Sequence, residues 1–180
     1  MANQDAAFGL KAIGKVGQNR DNQGLSEYGI AASSTAIYQN DPIMMAATGK
    51  IVVGTAAAVL LGSLNGVFYT DANTEKPTWA NHLAASNTAT DIVGFVSDDP
   101  YERFEIQSDA ALTVAEVGMN ADIVYAAGAT PNYISKVELD HSDLKTAIAQ
   151  LRVIGISKDP SNNEAGAVDV NAVVIINEHF

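Results

Sequence analysis

The chain has 180 residues, of which 47% are apolar, and its 10 lysines and arginines face 21 aspartates and glutamates, for a formal net charge of -11. This length accommodates one sizeable core, and so large an acidic excess repels nucleic acid and anionic membranes, so we expect a protein as the partner. The absence of cysteine excludes disulfides, thiolate metal sites and cysteine nucleophiles.

The longest strongly apolar stretch, residues 51–61, is much shorter than the roughly 20 residues that a membrane helix needs. The N-terminal residues include Asp5 and contain no continuous apolar segment of the kind found in a secretory signal. We therefore expect a soluble protein that is made inside a cell and binds no membrane.

Residues 1–30 have the pattern of an extended N-terminal arm. Glycines interrupt every candidate helix, and the apolar residues stand singly instead of forming one face. The basic residues Lys11, Lys15 and Arg20 balance the acidic residues of the arm, so the net charge of -11 falls on residues 31–180. The pattern predicts either an arm that becomes ordered on a partner or a disordered terminus.

Residues 31–180 alternate between short apolar segments and turn residues, which predicts a body of about ten strands. The Asn65-Gly66 dipeptide is a strong hairpin signal, and residues 142–150 have the pattern of two helical turns with Ser142 as N-cap, or of a loop. The pattern indicates a mainly β fold, an antiparallel β-barrel or β-sandwich. Strands are expected near residues 36–39, 43–45, 51–53, 67–70, 93–96, 103–107, 111–114, 121–125, 133–139, 151–156 and 168–177.

Residues 93–107 show the clearest local pattern, an apolar strand followed by Asp98-Asp99-Pro100 and then by an alternating strand. Proline fixes its own φ and restricts the residue before it, so we expect a stiff corner between two strands. Residues 154–160 repeat the strand and the Asp-Pro turn, which predicts a second, similar corner and suggests two related halves.

Residues 71–90 are polar and show no period, which predicts a long excursion from the body that is pinned by the single tryptophan, Trp79. Loops of this length usually carry a function or form an interface. Tyr69, Pro77 and Trp79 are therefore candidates for an exposed contact loop.

The three histidines, His82, His141 and His179, lie in separate segments without the spacing of metal ligands. The sequence also lacks a calcium loop, a nucleophile elbow and a phosphate-binding loop. We therefore expect no metal and no cofactor.

A hydrolase would find its carboxylates in Asp98, Asp99 and Glu102. Aspartates that precede a turn proline normally bond to their own backbone, so a structural role is favoured and a hydrolase ranks last among the functions considered. We expect that the protein is not an enzyme.

The chain begins with MANQDAAFGLKAIGKVG, contains PYERFEIQ in its middle, and ends with LRVIGI, NNE and VVIINEH in succession. These segments resemble virion structural proteins of tailed phages, among which similar short acidic chains of marine phages are head decoration, or cement, proteins. The resemblance implies a protein that is made in the host cytoplasm and lies on the capsid exterior. Its partners would be the phage major capsid protein and further copies of itself, with a trimer favoured.

A cement protein clips neighbouring capsid subunits, and a flexible arm can do so by adding a strand to an exposed sheet edge. Isolated apolar side chains of the arm would fill successive pockets, and its basic side chains would meet acidic rims. The candidate capsid-binding residues are Phe8, Leu10, Lys11, Ile13, Lys15, Val16, Arg20, Leu25 and Tyr28. The alternative is a β-rich head-fibre or spike module that binds a host receptor or a glycan through the 71–90 excursion.

Overall fold

The computed structural model describes residues 3–16, 24–32 and 34–180, which fold into a mainly β protein. In these ranges the helical segments are two single 3-10 turns, Val114–Glu116 and His141–Asp143. The strands are β1 (Lys11–Lys15), β2 (Ser26–Gly29), β3 (Pro42–Met45), β4 (Ile51–Val53), β5 (Gly62–Thr70), β6 (Pro77–Ala80), β7 (Val93–Ser97), β8 (Glu102–Gln107), β9 (Asn120–Ala121), β10 (Ile123–Val124), β11 (Glu138–Leu139), β12 (Leu151–Ile156) and β13 (Asn171–Ile176).

These strands form two main antiparallel sheets. The first sheet has five strands in the order β1-β8-β13-β12-β9. The second has six strands, in which β2-β7-β5-β3-β4 are successive neighbours and β6 pairs with the far end of β5. β10 and β11 form a separate two-stranded ladder. The prediction of a mainly β, antiparallel fold is confirmed, and the two open sheets fit a β-sandwich instead of a closed barrel.

Each main sheet buries its own apolar cluster. On β8, Phe104 and Ile106 are fully buried while Arg103 on the opposite face is partly exposed, as the two-residue period of a strand requires. Full burial of one such apolar side chain contributes about 1.5–3 kcal/mol. The cluster of the five-stranded sheet includes Leu10, Phe104, Ile106, Leu112, Leu139, Leu151, Val153, Val174 and Ile176, and that of the six-stranded sheet includes Ile30, Ile37, Ile43, Ile51, Leu64, Val67, Leu83 and Val96.

The predicted strand, corner and strand at residues 93–107 are confirmed, and the corner carries the chain from one sheet to the other. β7 belongs to the six-stranded sheet and β8 to the five-stranded sheet. Asp99 Oδ1 accepts the backbone N–H of Tyr101 at 2.8 Å, so this aspartate bonds to its own turn. The Asp159-Pro160 turn differs, because β12 and β13 on either side of it are neighbours in one sheet. The idea of two equivalent corners is therefore wrong.

The described part of the N-terminal segment is built into the two sheets. β1 pairs with β8, and β2 pairs with β7. Leu10 is fully buried in the first apolar cluster, and its backbone N–H donates to Asn40 O at 2.9 Å. The segment is extended, as predicted, but it pairs with the body, so the expectation of an arm that is disordered or becomes ordered only on a partner is wrong at these residues. Leu10 stands singly in the sequence, and segments far along the chain provide the apolar cluster in which it is buried.

The Asn65-Gly66 dipeptide does not form a hairpin turn but lies inside β5, where a bulge shifts the register between Leu64 and Gly66. Close packing favours glycine there, because a Cβ on Gly66 would lie only 3.1 Å from Ala80 O, which is tighter than most Cβ contacts, and would contact the Trp79 ring at 3.5 Å. The glycine of this dipeptide therefore allows β6 to pack closely against β5, and the chain does not reverse direction at Asn65-Gly66.

Residues 71–90 include β6, which forms a hairpin with β5. Leu83 lies three residues after the end of β6. Leu83 is fully buried and exchanges backbone hydrogen bonds with Ile37 at 2.8 and 3.0 Å, so it pins this segment. Trp79 has 59% of its surface exposed, and the expectation that it is the anchor is wrong.

Two further expectations are corrected by local hydrogen bonds. Residues 142–150 form only the 3-10 turn His141–Asp143, and the Ser142 hydroxyl donates to Asp140 at 2.6 Å instead of capping a helix. The segment 111–114 is not a strand, since Thr113 and Glu116 close a 3-10 turn through bonds of 2.6 and 2.9 Å.

Candidate functional site

The outer surface of the five-stranded sheet is the candidate site. Because Phe104 and Ile106 point into the core, Arg103 and Glu105 of β8 point away from it. The strand register continues this surface across β13, where Arg103 lies opposite Ile175. We call this surface the basic face, and it consists of Lys11, Ile13, Arg103, Glu105, Arg152, Ile154, Lys158, Val173 and Ile175.

Apolar side chains on the basic face remain open to solvent. Ile13 has 41% of its surface exposed and Ile154 has 36%. Ile13 and Val173 line a cleft of about 400 Å³ between β1 and the end of β12, together with Arg103 and Lys158. Both strands bulge here, because the register shifts next to Ile13 in β1 and next to Ile154 in β12. A bulge turns an extra side chain outward, which explains how two isoleucines become exposed on one sheet surface.

The charge of the basic face is opposite to that of the whole chain. Lys11, Arg103, Arg152 and Lys158 lie on it, whereas the net charge of the chain is -11. Glu105 also lies there, but it is only 6% exposed. The surface therefore presents more cationic than anionic groups to a partner.

Three side chains around the cleft hold Glu105 in place. The Ser157 hydroxyl donates to Glu105 Oε1, the Asn171 amide lies 3.4 Å from the same oxygen, and Lys11 Nζ lies 3.6 Å from Oε2. At the cleft rim, hydrogen bonds from the Ser161 backbone and side chain keep the pKa of Asp159 below its usual range. Both carboxylates of the cleft are thus engaged within the protein.

Side-chain amides bind residues 3–7 beside the basic face. Gln107 accepts the backbone N–H of Ala6 at 2.9 Å and donates to Gln4 O at 2.7 Å. Asn162 accepts the Gln4 N–H at 3.0 Å and donates to Gln4 O at 2.8 Å. Gln107 is fully buried and Asn162 is 5% exposed, so each satisfies its amide on the backbone of the N-terminal segment. Sequence reasoning missed both, because a single Asn or Gln gives no signal of its partner.

Three of the candidate capsid-binding residues are used inside the protein. Leu10 is in the core, and Lys15 Nζ lies 2.7 Å from Asp99 Oδ2. The Tyr28 hydroxyl donates to Asp98 Oδ2 at 2.6 Å. These side chains are not available to fill pockets on a partner, so their assignment is corrected.

The other candidates divide between two surfaces. Lys11 and Ile13 lie on the basic face, and Val16 at the end of β1 has 48% of its surface exposed. Half-buried Phe8 has Lys11 Nζ above its ring at 5.9 Å and lines a second cleft of about 460 Å³ with Leu25. Arg20 lies outside the described residues.

The predicted contact loop contributes an exposed aromatic cluster on the six-stranded sheet. The Trp79 ring lies 4.5 Å from that of Phe95, and Trp79 is paired with Phe68 across β5 and β6. Pro77 is exposed at the start of β6, whereas Tyr69 packs against the core on the other side of the sheet. Phe68 and Phe95 were missed, because their proximity to Trp79 depends on the pairing of three strands.

The corner carboxylates have structural partners. Asp98 accepts hydrogen bonds from Ser26 at 2.9 Å and from Tyr28, which fastens β2 to the corner. The Lys15 ammonium lowers the pKa of Asp99, whereas burial raises the pKa of Glu102. Glu102 Oε1 accepts the Gly14 N–H at 2.9 Å. Asp98 therefore bonds to β2, and Asp99 and Glu102 bond to β1. The three carboxylates do not point to one shared reaction centre.

Among residues 3–16, 24–32 and 34–180, no three His, Asp or Glu side chains are grouped as metal ligands. In the same ranges no helix is both long and apolar enough to cross a membrane. Comparisons with protein-family models, with curated proteins and with solved structures find no match to this chain.

Proposed function

We propose that this chain is a structural virion protein that binds the outside of a phage capsid and cements neighbouring major capsid subunits. The basic face and the adjoining edge strand β1 form its attachment surface. The observation that carries the proposal is the exposure of Ile13 and Ile154 among four basic side chains on a chain with a net charge of -11. Exposed apolar groups surrounded by polar ones are typical of protein interfaces. The proposal includes no enzymatic activity.

Edge strand β1 supplies a second means of attachment. In the described part of the chain its strand partner is β8, on one side. An edge of this kind accepts a strand from another protein, with main-chain hydrogen bonds for affinity and side-chain pockets for specificity. Ile13 then packs beside the added strand. The attachment is by a fixed edge and not by a flexible arm, and several copies in one oligomer, for which a trimer is favoured, strengthen it through avidity.

The test uses capsids of the phage that encodes the chain, stripped of this protein, and a cosedimentation assay. The double variant Ile13→Glu/Ile154→Glu should bind at least about tenfold more weakly, because it places two charges in the apolar contact. Val59→Glu is the matched control, since Val59 is 48% exposed and lies in the connection between β4 and β5 of the six-stranded sheet. Failure of the unaltered protein to bind stripped capsids overturns the proposal. Equal binding by the double variant and the control overturns the attachment surface.

Deletion of residues 1–27 is not a useful test of attachment, because it removes β1, half of β2 and the buried side chain of Leu10. Surface substitutions avoid this loss of structure. Images of virions with and without the protein locate it on the particle.

The second candidate function is a head-fibre or spike module that binds a glycan or a host receptor. It is favoured by the exposure of Trp79, whose ring rests against Phe95, because exposed aromatic rings bind apolar faces of ligands. Trp79→Ala should then abolish binding to host cells or sugar arrays while association with particles is unchanged. Tyr101→Ala is the control, because Tyr101 is 69% exposed elsewhere. Unchanged host-cell binding by Trp79→Ala eliminates this candidate.

A further inference from the structure

We infer that the partner surface of the basic face is an acidic patch on a protein, in which carboxylates surround apolar side chains. The inference rests on the proposed function and specifies the chemistry of the capsid surface that is bound. Its basis is charge complementarity, since the basic face is the part of an acidic molecule where cationic and apolar groups coincide. Complementary potentials determine which partner is accepted and how fast it associates.

Basic side chains are concentrated on the basic face. Lys11, Arg103, Arg152 and Lys158 of the basic face make up four of the chain's 10 basic residues. Two of them, Arg103 and Lys158, line the cleft together with Glu105 and Asp159, which are two of the chain's 21 acidic residues. Both carboxylates are held by internal hydrogen bonds. An approaching carboxylate therefore meets a local cationic surface, although the molecule as a whole is anionic.

Arg103 is placed to receive a carboxylate. It lines the cleft with Ile13 and Lys158. A guanidinium binds a carboxylate through two parallel hydrogen bonds, which are strengthened where apolar neighbours exclude water. Arg152 is oriented by a 3.1 Å bond from its Nε to Asn120, and it extends the cationic row toward the other edge of the sheet.

The same observations disfavour nucleic acid as the partner. A nucleic acid carries its charge along its whole length, so the remaining acidic surface of this protein repels it beyond the basic face. The apolar residues of the basic face are Ile13, Ile154, Val173 and Ile175, and the aromatic cluster of Trp79 lies on the other sheet, so the described face lacks a row of exposed rings on which successive bases could stack. An acidic protein patch is local and brings apolar side chains to meet Ile13 and Ile154.

The experiment compares two double charge reversals in the assay with stripped capsids. Arg103→Glu/Lys158→Glu should weaken binding at least about tenfold, and it should remove the decrease of affinity with rising salt that the unaltered protein shows. Lys50→Glu/Lys76→Glu changes the net charge equally at two sites that directly precede β4 and β6 of the six-stranded sheet, and it should alter affinity less than about twofold. Arg103→Lys should retain part of the binding, because it keeps the charge but loses the fork geometry.

The outcomes separate the inference from the proposed function. If Ile13→Glu/Ile154→Glu loses binding while Arg103→Glu/Lys158→Glu retains it, the attachment surface stands and the acidic partner is ruled out. Equal loss in both charge reversals shows a net-charge effect and also rules it out.

A second measurement is independent of the capsid. In an NMR titration, an acetylated peptide of alternating Glu and Leu should shift the Arg103 side-chain signal, and duplex DNA of equal charge should not. If DNA alone shifts the Arg103 signal, the inference is overturned in favour of nucleic acid. If the peptide does not shift the signal, the result counts against an acidic protein patch even when the protein binds capsids.

Discussion

The hydroxyl of Tyr28 donates a 2.6 Å hydrogen bond to Asp98 Oδ2, and this bond joins edge strand β2 to the corner where the chain passes between the sheets. Asp98 holds the proton of Tyr28, and this hydrogen bond raises the pKa of the phenol. Ser26 donates to the other oxygen of Asp98 at 2.9 Å. One carboxylate thus fixes two residues of β2 that face the same side of the strand.

Replacement of this tyrosine tests the role of the corner. Tyr28→Phe should lower the free energy of unfolding by about 1–3 kcal/mol, because it removes a hydrogen bond to a charged group. Chemical denaturation measures the change. Tyr101→Phe should alter stability by less than about 0.5 kcal/mol, since Tyr101 is 69% exposed. Equal effects of the two variants would show that the corner does not depend on the Tyr28 bond.

A second prediction concerns the buried carboxylate of Asp41. Burial raises the pKa of Asp41 to about 6, against a backbone hydrogen bond from Tyr38 of 2.8 Å that lowers it. The folded state therefore binds a proton more tightly than the unfolded state, whose pKa is 3.8. The stability that this proton adds is fully present below pH 3.8 and is lost as the pH rises through about 6.

The variant Asp41→Asn should remove this part of the pH dependence. At pH 7 it should be more stable than the unaltered protein by up to about 3 kcal/mol, and the difference should disappear near pH 4. Denaturation series from pH 4 to pH 7 measure it. Glu75→Gln serves as the control, because Glu75 is an exposed turn residue. If the free energies of unfolding of Asp41→Asn and of the unaltered protein differ by the same amount at every pH, Asp41 is not the group that causes the pH dependence.

Glycine 9 provides a steric test of how closely the N-terminal segment packs. Gly9 has a φ of 75°, and a Cβ there would overlap Asn40 O and the side chain of Ser135. Gly9→Ala should therefore destabilise the protein by at least about 2 kcal/mol in thermal or chemical unfolding. Gly29→Ala in β2 is the matched control, since a Cβ at Gly29 meets no atom within 4 Å. If both variants are equally stable, the segment does not pack as described.

Truncation of two apolar residues of the same segment should destabilise the protein to very different extents. Leu10→Ala should cost about 2–5 kcal/mol, because it leaves a cavity in the cluster around Phe104. Ile13→Ala should cost less than about 1 kcal/mol, because Ile13 is 41% exposed. The free energies of unfolding from urea titrations test the pair. If Leu10→Ala changes the free energy of unfolding only slightly, the N-terminal segment is not packed into the core and is a loose arm after all.

The parts of the fold that were predictable from the sequence have local causes. Asp98-Asp99-Pro100 makes a corner because proline geometry and carboxylate capping act within a few residues. The integration of β1 was not predictable in this way, since its partner β8 lies about ninety residues further along the chain, as in the pairing of Lys11 with Glu105.

The candidate site shows the same limit. Lys11 and Ile13 were identified as binding residues from their isolation in the sequence, whereas Arg103, Arg152 and Lys158 were not. Each of these is a single basic residue in its own segment, and only the order β1-β8-β13-β12 places them on one surface. The hairpin prediction at Asn65-Gly66 was wrong for a related reason, because the glycine lies inside β5 against the backbone of Ala80 in β6 and not in a turn.

The bonds between Gln4 and Asn162 join residues that are 158 positions apart. During synthesis, the segment that enters the five-stranded sheet as β1 therefore emerges long before Gln107 and Asn162, which bind the backbone just before it. The apolar residues around Leu10 must remain without their final partners until most of the chain has left the ribosome. A nascent chain that stalls before residue 171 lacks β13, the neighbour of β8 on the side away from β1, so it presents that edge of β8 to neighbouring chains in a polysome.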